Sequence, residues 1–457
     1  MLKMPESEEN IAMTEKLANF IVNTQTQNIP DEMFAHAKLA FMDWLCVGVA
    51  GKEDPLVSKL VNYSDTMGGN PQATLICDGS QRSVSDAALI NGASSHALDY
   101  DDTLVSFLGH PSVTVFPSTL ALCEWKNLSG KEFLSAYLIG IQTGGTIGAC
   151  ASLDHYMAGW HATSTLGHFA SAAACARLLK LNSEKTMHAL GIAGTQASGL
   201  KRVFGSMCKP FHAGRASQSG LFAALMAENE FTSAKDILEG PQGFFDAFKG
   251  KVNPTILSFL GLGWDVVNLS QKYHASCHAT HSPIEASLEI IHNNNISAGD
   301  IQSITVKSSQ LALDAAGKNK PQTGLEGKFS IPYCVANALV FGDTGMQAFT
   351  DDRVLSSEIK QMMSKISVVL DDTKTGLEST VCIKTNNHQD FVADSDILQQ
   401  IPPFDVKETR VRAKFNDLCM PVLGEKITNS LEQVIDNMQD IKNMSELMTY
   451  FRRPYES

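Results

Sequence analysis

The sequence predicts a mainly α protein: a large all-helical domain, a smaller α+β domain and a helical tail. Three observations predict this. Apolar residues recur at helical spacing with few interruptions as far as about residue 260. The helical stretches are rich in Ala, Gly and Ser, as in SAAACA and AGTQASG, and small residues let helices pack closely. Near Gly263 the texture changes, and short β-branched runs bounded by turn residues begin to alternate with helical patterns. A chain of 457 residues accommodates two or more domains. The expected boundaries are residues 1–265 for the helical domain, 266–405 for the α+β domain, and 406–457 for a tail packing back on the first.

Helical periodicity runs over residues 10–26 and stops at Asn28-Ile29-Pro30. Pro30 suits the first turn of the next helix, residues 31–49, which Gly51 closes. Asp54-Pro55 opens another helix, residues 73–76 allow a short strand, and residues 83–98 read as a helix running into an Asp-rich segment. Helices are then expected at residues 113–125, 131–152, 163–179, 183–198 and 214–228. Strands are expected at 303–307, 367–370, 380–384 and 390–393, with helices at 283–292 and 331–340 among them and a helical pattern from 406 to 451.

Composition narrows the function. The net charge of −13 argues against nucleic acid or an anionic membrane as the main partner, yet leaves room for a small anionic substrate held by local cations. Ten cysteines are spread singly with no C-x-x-C pair, which points to free thiols in a reducing, cytoplasmic setting. The first ten residues carry no apolar signal core. The long apolar run at 133–153 is interrupted by Gly140, Gln142, Gly144, Gly145 and Gly148, so it reads as a buried helix rather than a membrane span. No G-x-G-x-x-G follows a strand, no P-loop occurs and no cysteines cluster, so no nicotinamide, flavin, nucleotide or iron–sulfur cofactor is implied.

Candidate chemistry centres on GASSHALDYDDTLVSFLGHPS, residues 92–112, which holds His96, Asp99, Asp101, Asp102, Thr103 and His110. His96, Asp99 and Thr103 fall at i, i+3 and i+7, so one face of a helix end is expected to present all three. A carboxylate and an imidazole in a dry pocket make an acid–base pair. Four further stretches gather polar residues. His161 precedes a small-residue helix in GWHATST. The segment GLKRVFGSMCKPFHAGRA places Arg202, Lys209 and His212 before a helix expected to open at Gly214, an anion site in prospect. KYHASCHATH carries Lys272, Cys277 and His278; on a helix its His and Cys pairs diverge, so substrate contacts are preferred to a metal. KFSIPY places Tyr333 at the start of an apolar helix, either as core or with its hydroxyl toward a cleft.

These segments, NGASSHALDYDDT with GHPS, GWHATSTLG, the KP-x-H block, KYHASCHATH and KFSIPY, occur in the order found in the MmgE/PrpD family, which the chain resembles over nearly its whole length. Members include 2-methylcitrate dehydratase, cis-aconitate decarboxylase and iminodisuccinate epimerase. The resemblance implies a large all-helical domain, a smaller α+β lid domain, a homodimer, a pocket between the domains, and catalysis without metal or organic cofactor. By resemblance Asp99, His110, His161 and Tyr333 are the catalytic candidates. Thr103, Lys209 and Lys272 are the substrate-binding ones by resemblance, and Arg202, His212, Cys277 and His278 join them from their own polar contexts. The decarboxylase branch has a histidine five residues after the junction lysine, where this chain has Cys277, and one residue fewer between the positions of Thr103 and His110. Both departures favour dehydration of a hydroxylated di- or tricarboxylate over decarboxylation, with epimerisation and a non-catalytic helical interaction protein as the other readings.

Overall fold

In the computed structural model, residues 12–452 are described. The expected start of the first helix at residues 10–11 and the N-terminal segment read for a signal core lie outside them. The chain divides into two compact units, one made of residues 1–269 and 418–457, the other of Ser270–Asp417.

The first unit is built from α1 (Met13–Asn23), α2 (Asp31–Ala50), α3 (Pro55–Met67), α4 (Val84–His96), α5 (Ser112–Lys126), α6 (Gly130–Met157), α7 (Ala162–Leu178), α8 (Ser183–Gln196) and α9 (Cys208–Glu228), with a minimal hairpin of β1 (Ala73–Thr74) and β2 (Gln81–Arg82). Local chemistry sets the ends. Asp54 caps α3 with Pro55 at its first turn, Ser83 caps α4, and Ser129 with Glu132 forms a reciprocal capping box on α6. Ser152, left-handed at φ 59°, breaks α6 at the residue where the pattern was expected to end. The helix Asp31–Glu53 is long and apolar enough to cross a membrane, but its apolar window is 83% buried inside the protein, as a core helix is. Its Phe41 and Trp44 join Phe116, Phe133 and Tyr137 in an aromatic cluster in which Phe116 stacks on Tyr137 at 3.8 Å.

The small residues have a specific use where α4 meets α9. A Cβ on Gly92 would lie 2.7 Å from the Gly214 Cα, and one on Gly214 would lie 2.1 Å from the Leu89 carbonyl oxygen. The two backbones therefore touch, and the start of α9 is held beside the end of α4. Gly214→Ala gains about 1 kcal/mol of helix propensity, but the obstacle is backbone, and overpacking of this kind costs about 1–3 kcal/mol. The variant is expected to melt below the parent, and an equal or higher Tm would show that the helices can part freely.

The second unit holds a mixed four-stranded sheet in the order β4 (Ile366–Leu370), β3 (Ile301–Ser308), β5 (Ser379–Thr385), β6 (Asp390–Ser395), with β3 and β4 parallel and the other pairs antiparallel. On β5 the side chains of Ser379, Val381, Ile383 and Thr385 are buried and alternate with half-buried ones, which fixes the register. Val381 and Ile383 pack with Ile304 and Val306 against the helices His281–Asn294 and Ile331–Phe341. The helix Phe404–Leu423 runs across the boundary at Asp417, later than the expected 405/406. Its first turns belong to the second unit because Lys407 and Lys414 are buried there and Lys414 Nζ donates to the Lys272 carbonyl at 2.9 Å.

Candidate active site

α4 ends at His96, so Asp99 and Thr103 do not continue its face as the i, i+3, i+7 spacing anticipated. Asp99 instead turns the chain in the left-handed region at φ 52°, a conformation that Asp tolerates better than most residues. The chain then passes through buried Tyr100, Asp101 and Asp102 into a turn closed by the Leu104–Gly109 bridge. Gly109 lies against Thr163, where a Cβ would sit 2.6 Å from its hydroxyl, and the His110 N–H donates to that hydroxyl at 3.1 Å. The loop and the N-terminal turn of α7 are thus locked together, and His110 is presented just before α5.

Asp101 lies between two imidazoles. His96 Nδ1 is 2.9 and 3.0 Å from its two oxygens, and His110 Nδ1 makes a close charge contact of 2.9 Å with Oδ2. Burial alone would raise the Asp101 carboxyl, but His96 and His110 outweigh it and hold it well below the usual range. Asp102 points the other way. Burial, then Asp43, push it well up, and it is bonded to Ser112, whose hydroxyl meets Tyr137. Asp102 is therefore part of the packing.

The corrected start of α9 brings in the cations. The helix opens at Cys208, not Gly214, with Pro210 in the first turn where no N–H partner is needed. The helix terminus expected at Gly214 is therefore six residues earlier, since Gly214 is inside the helix. Lys209 and His212 instead occupy the opening turns. Lys209 Nζ binds Asp99 Oδ1 at 2.8 Å and lies 5.4 Å from the Phe204 ring centroid. His110 Nε2 is 3.8 Å from that same Asp99 oxygen. His161, the residue before α7, donates its N–H to the Gly199 carbonyl at 3.0 Å, and its Nδ1 faces His212 Nδ1 at 3.0 Å. Gly199 (φ 123°) permits this approach, because a Cβ there would lie 2.7 Å from Ser164 and 3.3 Å from His212 Nδ1. Burial lowers His161 well below the usual imidazole range, helped by His96, Lys209, His212 and His110, and burial with His96 lowers His212. Two neutral rings facing Nδ1 to Nδ1 must adopt opposite tautomers, one donating and one accepting.

Asp99, His110, His161, Lys209 and His212 are thus brought together within the first unit, with His96 and Asp101 added. His96 and His161 stack at 6.1 Å, and His96 and His110 sit at 4.6 Å. Thr103 is half-buried beside the closing bridge, and Arg202 is exposed on the 3-10 turn Lys201–Val203. The remaining candidates lie in the second unit. Lys272 is buried, Cys277 is half-buried with its N–H on the Lys328 carbonyl, and His278 opens the 3-10 turn His278–Thr280. Tyr333 is fully buried in the core of its unit, and its hydroxyl donates to the Ala348 carbonyl. Residues 272–277 are not helical, so the helical pairing of the His and Cys residues, already set aside in favour of substrate contacts, does not arise. His274 is engaged by Thr344 at 2.7 Å and Glu285 at 3.0 Å.

Among the described residues, donor atoms that all lie within 4.8 Å of one another come from His96, Asp99, Asp101 and His110, a set within reach of one divalent ion. In this structure Lys209 Nζ and the two Nδ1 atoms face those carboxylates. A cavity of about 1000 Å³ opens elsewhere on the first unit, lined by residues including Cys150, Ser152, Asp154 and Lys251, and by none of the candidates.

An all-helical unit carrying a buried imidazole–carboxylate–ammonium cluster, followed by an α+β unit, has the makings of an acid–base catalyst. The chain belongs to the MmgE/PrpD family: the MmgE/PrpD N-terminal domain matches residues 15–257 and the C-terminal domain residues 274–440. It is 25% identical to a cis-aconitate decarboxylase of Aspergillus terreus over 99% of this chain and 98% of that protein. It is also 25% identical to the cis-aconitate decarboxylase-like protein oryM of Aspergillus oryzae, over 95% of this chain and 96% of the relative. The human cis-aconitate decarboxylase is 24% identical over 97% and 95%.

Proposed function

We propose that this protein is a lyase that removes water from a hydroxylated di- or tricarboxylate by acid–base chemistry, without metal or organic cofactor. The observation that carries this reading is the presence in one cluster of two imidazole pairs in contrasting surroundings. His96 and His110 share the Asp101 carboxylate, whereas His161 and His212 face each other with no carboxylate between them, and burial lowers both below the usual imidazole range. Environments that push like groups apart are how one site supplies both an acid and a base. Elimination of water needs both: a base removes the proton beside a carboxylate, and an acid protonates the departing hydroxyl. Neutral His161 is suited to the first step. His110, whose positive form is compensated by Asp101 and Asp99, is suited to the second. Lys209 faces the negative charge that grows on the substrate carboxylate as the proton leaves.

Decarboxylation is the second reading, and what favours it is the activity named for the relatives of Aspergillus terreus and human origin. Incubation with a panel of hydroxylated polycarboxylates and with cis-aconitate, followed by product mass and carbon dioxide release, separates the two. Water loss keeps every carbon. Carbon dioxide from cis-aconitate with no turnover of any hydroxy acid would replace dehydration by decarboxylation.

The cofactor part has its own check. Exhaustive dialysis against a chelator is expected to leave the rate unchanged. Loss of activity restored by zinc would turn His96, Asp99, Asp101 and His110 into a metal centre.

A further inference from the structure

We propose that Asp101 is the positioning residue of this site: its carboxylate, held between His96 Nδ1 and His110 Nδ1, fixes the ring protons on Nδ1 and so presents Nε2 of His110 as the proton-transfer atom. The inference rests on the acid–base reading above and adds a residue to it. Asp101 touches no open face of the site, since it is fully buried. His96 Nδ1 is at hydrogen-bond distance from both its oxygens, 2.9 and 3.0 Å, and His110 Nδ1 lies 2.9 Å from Oδ2 in a close charge contact. A carboxylate only accepts, so a neutral ring facing it must carry its proton on Nδ1, which leaves the lone pair on Nε2. In His110 that Nε2 is 3.8 Å from Asp99 Oδ1, the oxygen that Lys209 holds at 2.8 Å. The arrangement thus aims one nitrogen at the partly open end, where Asp99 and Lys209 are 28% and 20% exposed, and ties the other to the dry end.

His96 is the second donor. It is buried, its Nδ1 is on Asp101, and its Nε2 has no hydrogen-bond partner. It is placed to keep Asp101 ionised and immobile rather than to meet substrate. The charged or titratable groups facing the His110 ring are Asp99, Asp101, His96, His161 and Lys209.

The test is Asp101→Asn, which keeps the shape but replaces one acceptor by a donor. One of the two rings must then give up its Nδ1 proton, and the compensating charge beside His110 is lost. The expected result is a fall in kcat of about 10²–10⁴-fold, a KM within about threefold of the parent, and an alkaline limb of the kcat profile moved to lower pH. A purely structural role would leave the pH profile in place, and a variant with parental kcat and profile overturns the proposal. Long-range proton–nitrogen spectra of the unaltered protein provide a readout independent of activity and of the variant's folding. With ring signals assigned by their loss in His96→Gln and His110→Gln, the neutral form of His110 is expected to be the Nδ1–H tautomer. An Nε2–H tautomer overturns the proposal, whatever the substrate proves to be. If no polycarboxylate is turned over but the Nδ1–H tautomer is found, the positioning role stands and the dehydratase reading is what fails.

Discussion

Replacing His110 by alanine is expected to lower kcat by about 10²–10⁴-fold, the range usual for a general acid or base, with the fold intact. The fold should survive because the backbone at this position is held independently of the ring: the His110 N–H is on Thr163, and the turn behind it is closed by Leu104 and Gly109. Nor does the change strand the buried carboxylate, since Asp101 keeps His96. What is lost is the nitrogen that faces Asp99 and Lys209. Lys209→Ala should look different. It removes the cation proposed to meet both the bound carboxylate and its transition-state charge, so KM should rise as well as kcat fall. It also leaves Asp99 with less compensation in a partly closed site. Steady-state kinetics beside thermal melts separate the cases. A His110→Ala enzyme that keeps parental turnover at saturating substrate would take His110 out of the mechanism.

The contrast between what was and was not legible in the sequence is physical. α7 was expected at 163–179 and spans Ala162–Leu178, and β5 was expected at 380–384 and spans Ser379–Thr385. In both, the hydrophobic period and the local punctuation agree, so nearest-neighbour patterning was enough. The start of α9 was misread because Pro210 and Gly214 look like breakers. In the structure Pro210 falls in the first turn, where its missing N–H costs nothing, and Gly214 serves a helix crossing instead of a terminus. The polar stretches around His110, His161 and Lys209 were visible as departures from apolar context. Their pairing was not: His161 meets His212 across 51 positions and Lys209 meets Asp99 across 110. Nor does spacing say which of three neighbouring carboxylates bridges two histidines and which is packed against Ser112. That depends on the course of the loop after α4, where Asp99 turns in the left-handed region. A tyrosine opening an apolar helix carries the same sequence signature whether its hydroxyl faces a cleft or a backbone carbonyl, and in Tyr333 the hydroxyl donates to the Ala348 carbonyl.

Folding stability is expected to fall steeply between about pH 6.5 and pH 4, before the carboxylates of ordinary salt bridges titrate. Six histidines have lowered values: His155, His161, His168, His212, His274 and His281, in each case chiefly because burial disfavours the charged ring. A base lowered in the folded state is neutral there while the unfolded chain takes up a proton. The unfolded state is therefore favoured progressively as pH drops below the ordinary imidazole value, until the folded value is reached. His168 is fully buried, with a ring nitrogen on the Ser164 carbonyl at 2.7 Å, and burial brings it to about 4. On its own it accounts for about 2 kcal/mol between pH 7 and 5 and about 3 kcal/mol by pH 4. Asp102 and Asp265 work in the opposite sense, since burial raises them and the folded state gains protons as pH falls. With Asp417, which burial also raises, they are three groups against six. Asp101 and Glu285, lowered by their histidine and arginine partners against the effect of burial, add their loss only below the ordinary carboxylate range. Urea unfolding across pH 7 to 5 should show the decline directly, and His168→Gln, which keeps an N–H for Ser164 but cannot charge, should flatten it by about 2 kcal/mol. An unfolding free energy that is the same at pH 7 and pH 5 would mean that these rings are solvated well enough to accept protons in place, and that the imidazole cluster is wetter than its burial indicates.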